Sequence, residues 1–220
     1  MLTATPERYR TRVLRALCVA GSSTVEGVAR RSGIGVGIVH GELLAAESVG
    51  LVAHCAATGR WSSTAIGRIL LRRLTSAETV EGRRTRLAGL RPRLAELDVE
   101  VANLTSRWFL REGEAGDRGA ATVINDHHDP IYDAAVLEDV ARTHPDRITA
   151  IYAAVVVVPR MERYAGRLAD AWRRARLGEN AALGDPEHDA YFDVWAEFLR
   201  DFDALAGWSG SLPHKVRRAG

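Results

Sequence analysis

Apolar positions in the first third of the chain recur at helical spacing and are broken by short turn signals. Tyr9, Val13, Leu14, Leu17 and Cys18 share one face of a helix that begins at Pro6 and runs to about Ala20. Gly21-Ser22-Ser23-Thr24 stops it and caps a second helix, Val25–Arg31. After a turn at Ser32-Gly33, a third helix covers Val36–Ser48, with Ile34, Ile38 or Val39, Leu43 and Ala46 directed inward. The period then changes. Leu51-Val52-Ala53-His54-Cys55 reads as a strand, Ala56-Ala57-Thr58-Gly59 as a turn, and Arg60-Trp61-Ser62 as its return. A helix from Ala65 to Leu74 follows, with Ile69, Leu70 and Leu74 on its apolar side. Two short helices, a turn and a β-hairpin in this order predict a winged helix-turn-helix over residues 1–74.

From residue 75 the pattern is helical throughout. Leu87, Leu90, Leu94, Leu97, Val101, Leu104 and Trp108 alternate spacings of three and four, a heptad-like seam. Such a seam serves a dimer interface or the spine of a bundle; Pro92 starts or kinks a helix within it. Gly113–Ala121 is a polar loop. Asp129-Pro130 is a helix start, an N-cap acceptor followed by proline at the first helical position. That helix is expected to end near Arg142, with Asp146 capping the next, which stops at Pro159. Another helix covers Met161–Leu177. Asp185-Pro186 opens the last one, which buries Tyr191, Val194, Trp195, Phe198, Phe202 and Leu205. The fold class expected is therefore mainly α: an N-terminal winged helix-turn-helix with a small hairpin wing, and a helical dimerisation or ligand-binding bundle over residues 75–220.

Charge sharpens this division. Residues 1–92 hold fourteen arginines against six acids, while residues 93–220 hold sixteen basic against twenty-two acidic side chains, so a net +8 precedes a net −6. The split suits a nucleic-acid-facing half and a ligand- or partner-facing half. Within the second half, Arg160, Arg163, Arg167 and Arg174 form a basic stripe, and Asp189, Asp193, Glu197 and Asp201 an acidic one. The two stripes are expected to face each other in an antiparallel pair. Cys18 and Cys55 lie far apart in apolar contexts and read as buried free thiols of a cytoplasmic protein. No apolar run approaches the ~20 residues that a membrane span needs.

The helix expected to read DNA is poorly equipped for base contacts. Its outward positions offer Gly35, Gly37, His40, Gly41, Glu42 and Glu47, with no Arg, Lys, Asn or Gln among them. Phosphate contacts would fall to Arg30, Arg31 and Arg60, with His40 the one polar donor on the reading helix and Glu42 an acceptor for cytosine. Three glycines on one helix also invite close approach of a backbone or ligand. The densest polar cluster lies elsewhere, at Asn125-Asp126-His127-His128-Asp129. Adjacent imidazoles and carboxylates can hold a polar ligand or move a proton near neutral pH, and they can equally build a structured turn. His127 and Asp126 are the candidate catalytic pair. Trp108, Tyr191 and Trp195, with Asn125, Asp126, His127 and His128, are the candidate ligand-binding set, and Trp172 is a further aromatic wall. The spacing implies no metal site and no cofactor. Phosphate loops and nucleophile elbows are missing from the sequence.

Arg107-Trp108, the run Asn125-Asp126-His127-His128-Asp129-Pro130-Ile131-Tyr132-Asp133, and the later Pro159-Arg160, Tyr164, Arg167-Leu168 and Val194-Trp195 resemble a group of actinobacterial winged helix-turn-helix regulator-like proteins. Related segments accompany phosphoenolpyruvate-utilising proteins of the pyruvate phosphate dikinase type. The resemblance covers most of residues 5–205. It implies a winged helix followed by a helical domain, and no particular reaction. Phe109 stands where that group commonly has Gln, and Phe192 where it often has His. The expected function is a winged-helix transcriptional regulator that binds duplex DNA as a homodimer and senses a small-molecule effector or partner. The alternative is a scaffold that no longer reads DNA and serves as a biosynthetic-pathway enzyme or ligand-binding accessory protein.

Overall fold

The computed structural model describes residues 6–78, 81–112, 122–185 and 188–206. The chain is mainly helical, with a small three-stranded antiparallel sheet and a separate two-stranded one. It divides into two compact units. The first holds residues up to Thr85 together with the end of the last helix, and the second holds Arg86–Leu199.

The first unit begins with α1 (Pro6–Ala20), β1 (Ser22–Ser23), α2 (Val25–Ser32) and α3 (Val36–Ser48). Thr24 caps α2, its hydroxyl accepting from the Gly27 amide. Gly33 ends that helix at φ 63°, a left-handed position that favours glycine. The hairpin of β2 (Val52–Cys55) and β3 (Arg60–Ser63) follows, then α4 (Ala65–Glu78). β3 lies between β1 and β2, pairing Ser23 with Trp61 on one side and His54 with Trp61 on the other. One core joins these pieces: Val13, Leu14 and Leu17 of α1, Val28 of α2, Val39, Leu43 and Ala46 of α3, and Leu51, Val52 and Trp61 around the hairpin. Of the two alternatives at 38 and 39, Val39 faces inward and Ile38 is exposed. On α4 the inward positions are Gly67 and Leu71, not Ile69, which is exposed. Gly67 is required there, because a Cβ would stand 2.1 Å from the Leu51 carbonyl oxygen. That oxygen already accepts from the Thr64 amide at 3.0 Å.

The second unit is built on α5 (Glu81–Phe109), a hairpin of β4 (Leu110–Glu112) and β5 (Thr122–Ile124), and α6 (Pro130–Val157). A short 3-10 turn at Pro159–Met161 leads to α7 (Glu162–Arg176), α8 (Ala181–Gly184) and α9 (Tyr191–Ala206). Of the two alternatives at Pro92, starting or kinking a helix, the first does not hold, because Pro92 lies inside α5. Two further expectations are corrected. Pro145 lies inside α6, so Asp146 caps no helix and one helix replaces two. α9 begins at Tyr191, after Asp185-Pro186 rather than at it. The proline penalty is local, one lost rung and a steric adjustment worth ~3 kcal/mol. Val136, Val140, Ile151 and Ala154 bury the face of α6 on both sides of Pro145, which offsets it. The hairpin β4–β5 was not anticipated. The polar loop expected at Gly113–Ala121 lies outside the described residues.

The heptad-like seam is buried within the single chain. Leu87, Leu94, Leu97, Val101, Leu104 and Trp108 are all at most 6% exposed. It is the spine of the bundle: six of its seven positions are buried within one chain and Leu90 is half-buried. α5 and α6 run antiparallel, as the pairs Arg93–Asp146 and Arg107–Asp139 require. The basic and acidic stripes meet at Arg167, whose Nε donates to Asp189 at 2.8 Å and whose Nη2 reaches both Asp189 and Glu197. Burial alone would lower the Arg167 pKa; the two carboxylates outweigh it and hold the guanidinium above its ordinary value. Among the described residues, no helix is long and apolar enough to cross a membrane.

Candidate functional site

Two surfaces carry the residues singled out above, one in each unit. In the first unit α3 packs through Val39, Leu43 and Ala46, so its opposite face turns outward. That face presents Val36, Gly37, Ile38, His40, Gly41 and Leu44, all exposed. Around Gly35, Gly37 and Gly41 there is open space where a Cβ would project. Glu42 is not free to read a base: Arg10 holds its carboxylate at 3.5 Å.

The expected phosphate contacts separate. Arg30 is exposed on α2. Arg31 is buried, and its Nη1 donates to the Gly27 carbonyl at 3.2 Å and the Ser23 hydroxyl at 3.4 Å. It braces α2 against β1 and is removed from the set of DNA-contacting residues. The signal was available, since Arg31 follows Val28 by three positions and so shares its inward face. Arg60 spans the sheet: Nε donates to the Ser22 hydroxyl at 3.1 Å and Nη2 to the Ser22 carbonyl at 2.7 Å. Its side chain remains on the hairpin surface. On β2, His54 stacks on Trp61 with ring centres 4.6 Å apart. Cys55 is exposed and Cys18 only half-buried, which corrects the expectation of two buried thiols. Cys55 sits beside the hairpin turn, beyond the reach of the core. A hydrogen bond with Thr58 holds its thiol below the ordinary value.

In the second unit the run Asn125–Asp133 closes the junction between the end of α5 and the start of α6. Asn125 is buried next to Trp108. Its amide nitrogen donates to the Trp108 carbonyl at 3.1 Å and to Asp133 Oδ1 at 2.8 Å, which uses both hydrogens. His127 Nδ1 lies 3.0 Å from Asp133 Oδ2. A lone pair there would face a carboxylate, so the proton of the neutral ring sits on Nδ1 and Nε2 is left as an acceptor. His127 has φ 59°, a left-handed conformation uncommon outside glycine. That turn lays its ring against Trp108, with centres 4.4 Å apart. Asp129 caps α6, accepting from the amides of Ile131 at 3.0 Å and Tyr132 at 3.1 Å. The Tyr132 hydroxyl lies 3.0 Å from the Arg107 carbonyl and 3.1 Å from that of Leu110.

This arrangement separates the candidate catalytic pair. Asp126 is exposed and turns to His128 and Arg111, 3.2 Å and 3.5 Å away, and the His128 amide holds its pKa below the ordinary range. His127 is served instead by Asp133, which the sequence reading did not include among the site residues. The cluster is a clasp: Asn125, Asp133 and Tyr132 spend their polar groups tying three pieces of backbone together. His127 Nε2 is left for a ligand or a proton, as is the exposed ring of His128.

Of the candidate aromatic residues, Trp108 lies against His127, and Tyr191, Trp172 and Trp195 lie elsewhere. Tyr191 is fully buried and its hydroxyl lies 3.0 Å from His144 Nδ1. Trp172 flanks both rings, 5.8 Å from His144 and 6.4 Å from Tyr191. Arg147 joins this second cluster from α6. Trp195 is buried beside Phe198, and its indole N–H donates to Asp98 at 3.2 Å. Asp133 and Arg147 are fourteen residues apart on α6, roughly 20 Å at 1.5 Å per residue. Sequence reasoning missed His144 and Arg147, whose side chains meet Tyr191 only through the packing of α6 on α9. Among the described residues, no three His, Cys, Asp or Glu side chains gather closely enough to hold a metal ion. Comparison with protein-family models, with curated proteins and with solved structures returned no match for this chain.

Proposed function

We propose that the first unit is a winged helix and that the protein is a cytoplasmic transcriptional regulator binding duplex DNA mainly through phosphates. The observation that carries this reading is the element order α1-β1-α2-α3-β2-β3 with β3 between β1 and β2, which leaves the outer face of α3 unpacked beside a hairpin. Arg30, His40 and Arg60 supply the polar contacts, and the excess of +8 in residues 1–92 supplies the long-range attraction. Open space at Gly37 and Gly41 lets the helix backbone come close to the duplex. Base contact is limited to methyl groups of Val36, Ile38 and Leu44 against thymine. Such a protein discriminates weakly between sequences and depends steeply on salt. The second unit is then the effector domain, and a dimer, if the operator is two-fold, uses a face other than the α5 seam.

The test is fluorescence anisotropy with a labelled duplex at two salt concentrations. Arg30→Ala with Arg60→Ala should weaken binding on every sequence alike and lower the slope of log affinity against log salt by about 2. No binding at low salt, or binding untouched by the double substitution, refutes the proposal.

The bare face of α3 favours a second reading. A reading helix with no cation or amide on its outer surface suits a scaffold that has left DNA for an accessory or enzymatic role, with His127 Nε2 as its available base. Under that reading duplex binding is missing and His127→Ala removes a measurable binding or turnover.

A further inference from the structure

Arg147 is the most deeply buried charge among the described residues, with no exposure at all. Its Nη1 donates to the Thr143 hydroxyl at 2.6 Å and approaches the Tyr191 hydroxyl at 3.4 Å. Its Nε and Nη2 make no hydrogen bond to any described residue. These two atoms form one edge of the guanidinium, the edge that receives both oxygens of a carboxylate side-on. Arg167 shows the same edge satisfied, with Nε and Nη2 on the two oxygens of Asp189. For Arg147 the nearest carboxylate is Glu100, whose Oε2 stands 3.8 Å from Nη2 and is itself without a hydrogen bond. The Glu100 side chain is 43% exposed, so it can turn to solvent.

The neighbours add donors and aromatic walls. The Tyr191 hydroxyl lies between the two, 3.4 Å from Arg147 Nη1 and 3.0 Å from His144 Nδ1. Burial, with help from the Arg147 charge, pushes the His144 pKa down to about 4, so the ring is neutral at pH 7. The buried polar atoms here without a hydrogen bond are two donors, Nε and Nη2 of Arg147, and one acceptor, Oε2 of Glu100. Exposure decreases from the half-buried His144 and Trp172 to the fully buried Tyr191 and Arg147, so the cluster leads from the surface inward.

We propose that Arg147, Tyr191 and His144 form a binding site for a small carboxylate with a planar apolar body, its two oxygens taken by Nε and Nη2 of Arg147 and its ring set beside Trp172. Glu100 is the resident competitor that the ligand displaces. The site lies within the helical unit and stands whether or not the other unit binds DNA.

Titration calorimetry of the full chain with benzoate tests it, with benzamide as the neutral isostere and inorganic phosphate as the alternative anion. Benzoate should bind saturably, benzamide at least about tenfold more weakly, and NMR should show the His144 ring signals moving with benzoate. Arg147→Lys, which keeps charge and loses the edge, should weaken benzoate by about tenfold or more. Glu100→Gln, with folding checked by its thermal melt, should tighten it. A wild-type chain indifferent to benzoate, an equal response to benzamide, binding of phosphate alone, or Glu100→Gln binding no tighter than wild type each overturns the proposal.

Discussion

Replacing Asp133 with alanine should cost the helical unit about 2–4 kcal/mol. Asp133 is 8% exposed and accepts two hydrogen bonds, from Asn125 Nδ2 at 2.8 Å and from His127 Nδ1 at 3.0 Å. A hydrogen bond to a charged group contributes about 1.5–3 kcal/mol, and a buried donor left without its partner costs ~1–3 kcal/mol. Asn125 keeps its bond to the Trp108 carbonyl, and removal of a half-desolvated carboxylate returns part of the loss, so the sum falls short of two full bonds. Urea unfolding followed by tryptophan emission reads this directly, because the His127 ring lies against Trp108. Asp129→Ala is the internal comparison. It removes a cap that serves two amides at the surface, and should cost only about 1 kcal/mol. A loss below about 1 kcal/mol for Asp133→Ala, or a larger loss for Asp129→Ala, would show that the clasp is not what joins β5 to α6.

Two other substitutions and a pH profile test the remaining geometry. Gly67→Ala should destabilise the first unit by about 1–3 kcal/mol despite the better helix propensity of alanine, because the Cβ collides with the Leu51 carbonyl. Gly37→Ala, with open space around it, should stabilise the same unit by about 0.5–1 kcal/mol in thermal melts; the opposite order of the two would contradict the packing described. Lowering the pH from about 6.5 to about 4 should weaken the helical unit through His144. The unfolded chain takes up a proton in that window while the buried ring does not, so stability falls as pH falls. His144→Gln should flatten that part of the profile, and an unchanged slope would exclude His144 as its source.

The seam of α5 was legible because burial repeats every three or four residues, and every one of its strongest positions is covered. What covers it was not legible, since a heptad pattern is the same whether the partner helix belongs to one chain or two. The helix boundary expected between Arg142 and Asp146 does not form, because packing on both sides of Pro145 overrides its local penalty. β4–β5 is three residues a side, too short to leave a pattern. The Asn125–Asp129 cluster was found from its density of polar residues, yet its ionic partner Asp133 lies a full turn into the next helix. His144 and Arg147 escaped notice because their environment is set by Tyr191, more than forty positions along the chain.

The pairing of Arg167 with Asp189 and Glu197 also limits which neighbours the helices can choose. Apolar faces tolerate sliding, since one leucine replaces another at little loss. If α7 slipped along α9 by one turn, about 5.4 Å, Arg167 would leave both carboxylates while remaining in the interior. That misaligned state carries the cost of a buried charge without its partners, several kcal/mol per ion. Arg167 with its two carboxylates therefore acts as a tooth. It favours one alignment of α7 against residues 189–197 and disfavours the near-misses that hydrophobic packing alone would allow.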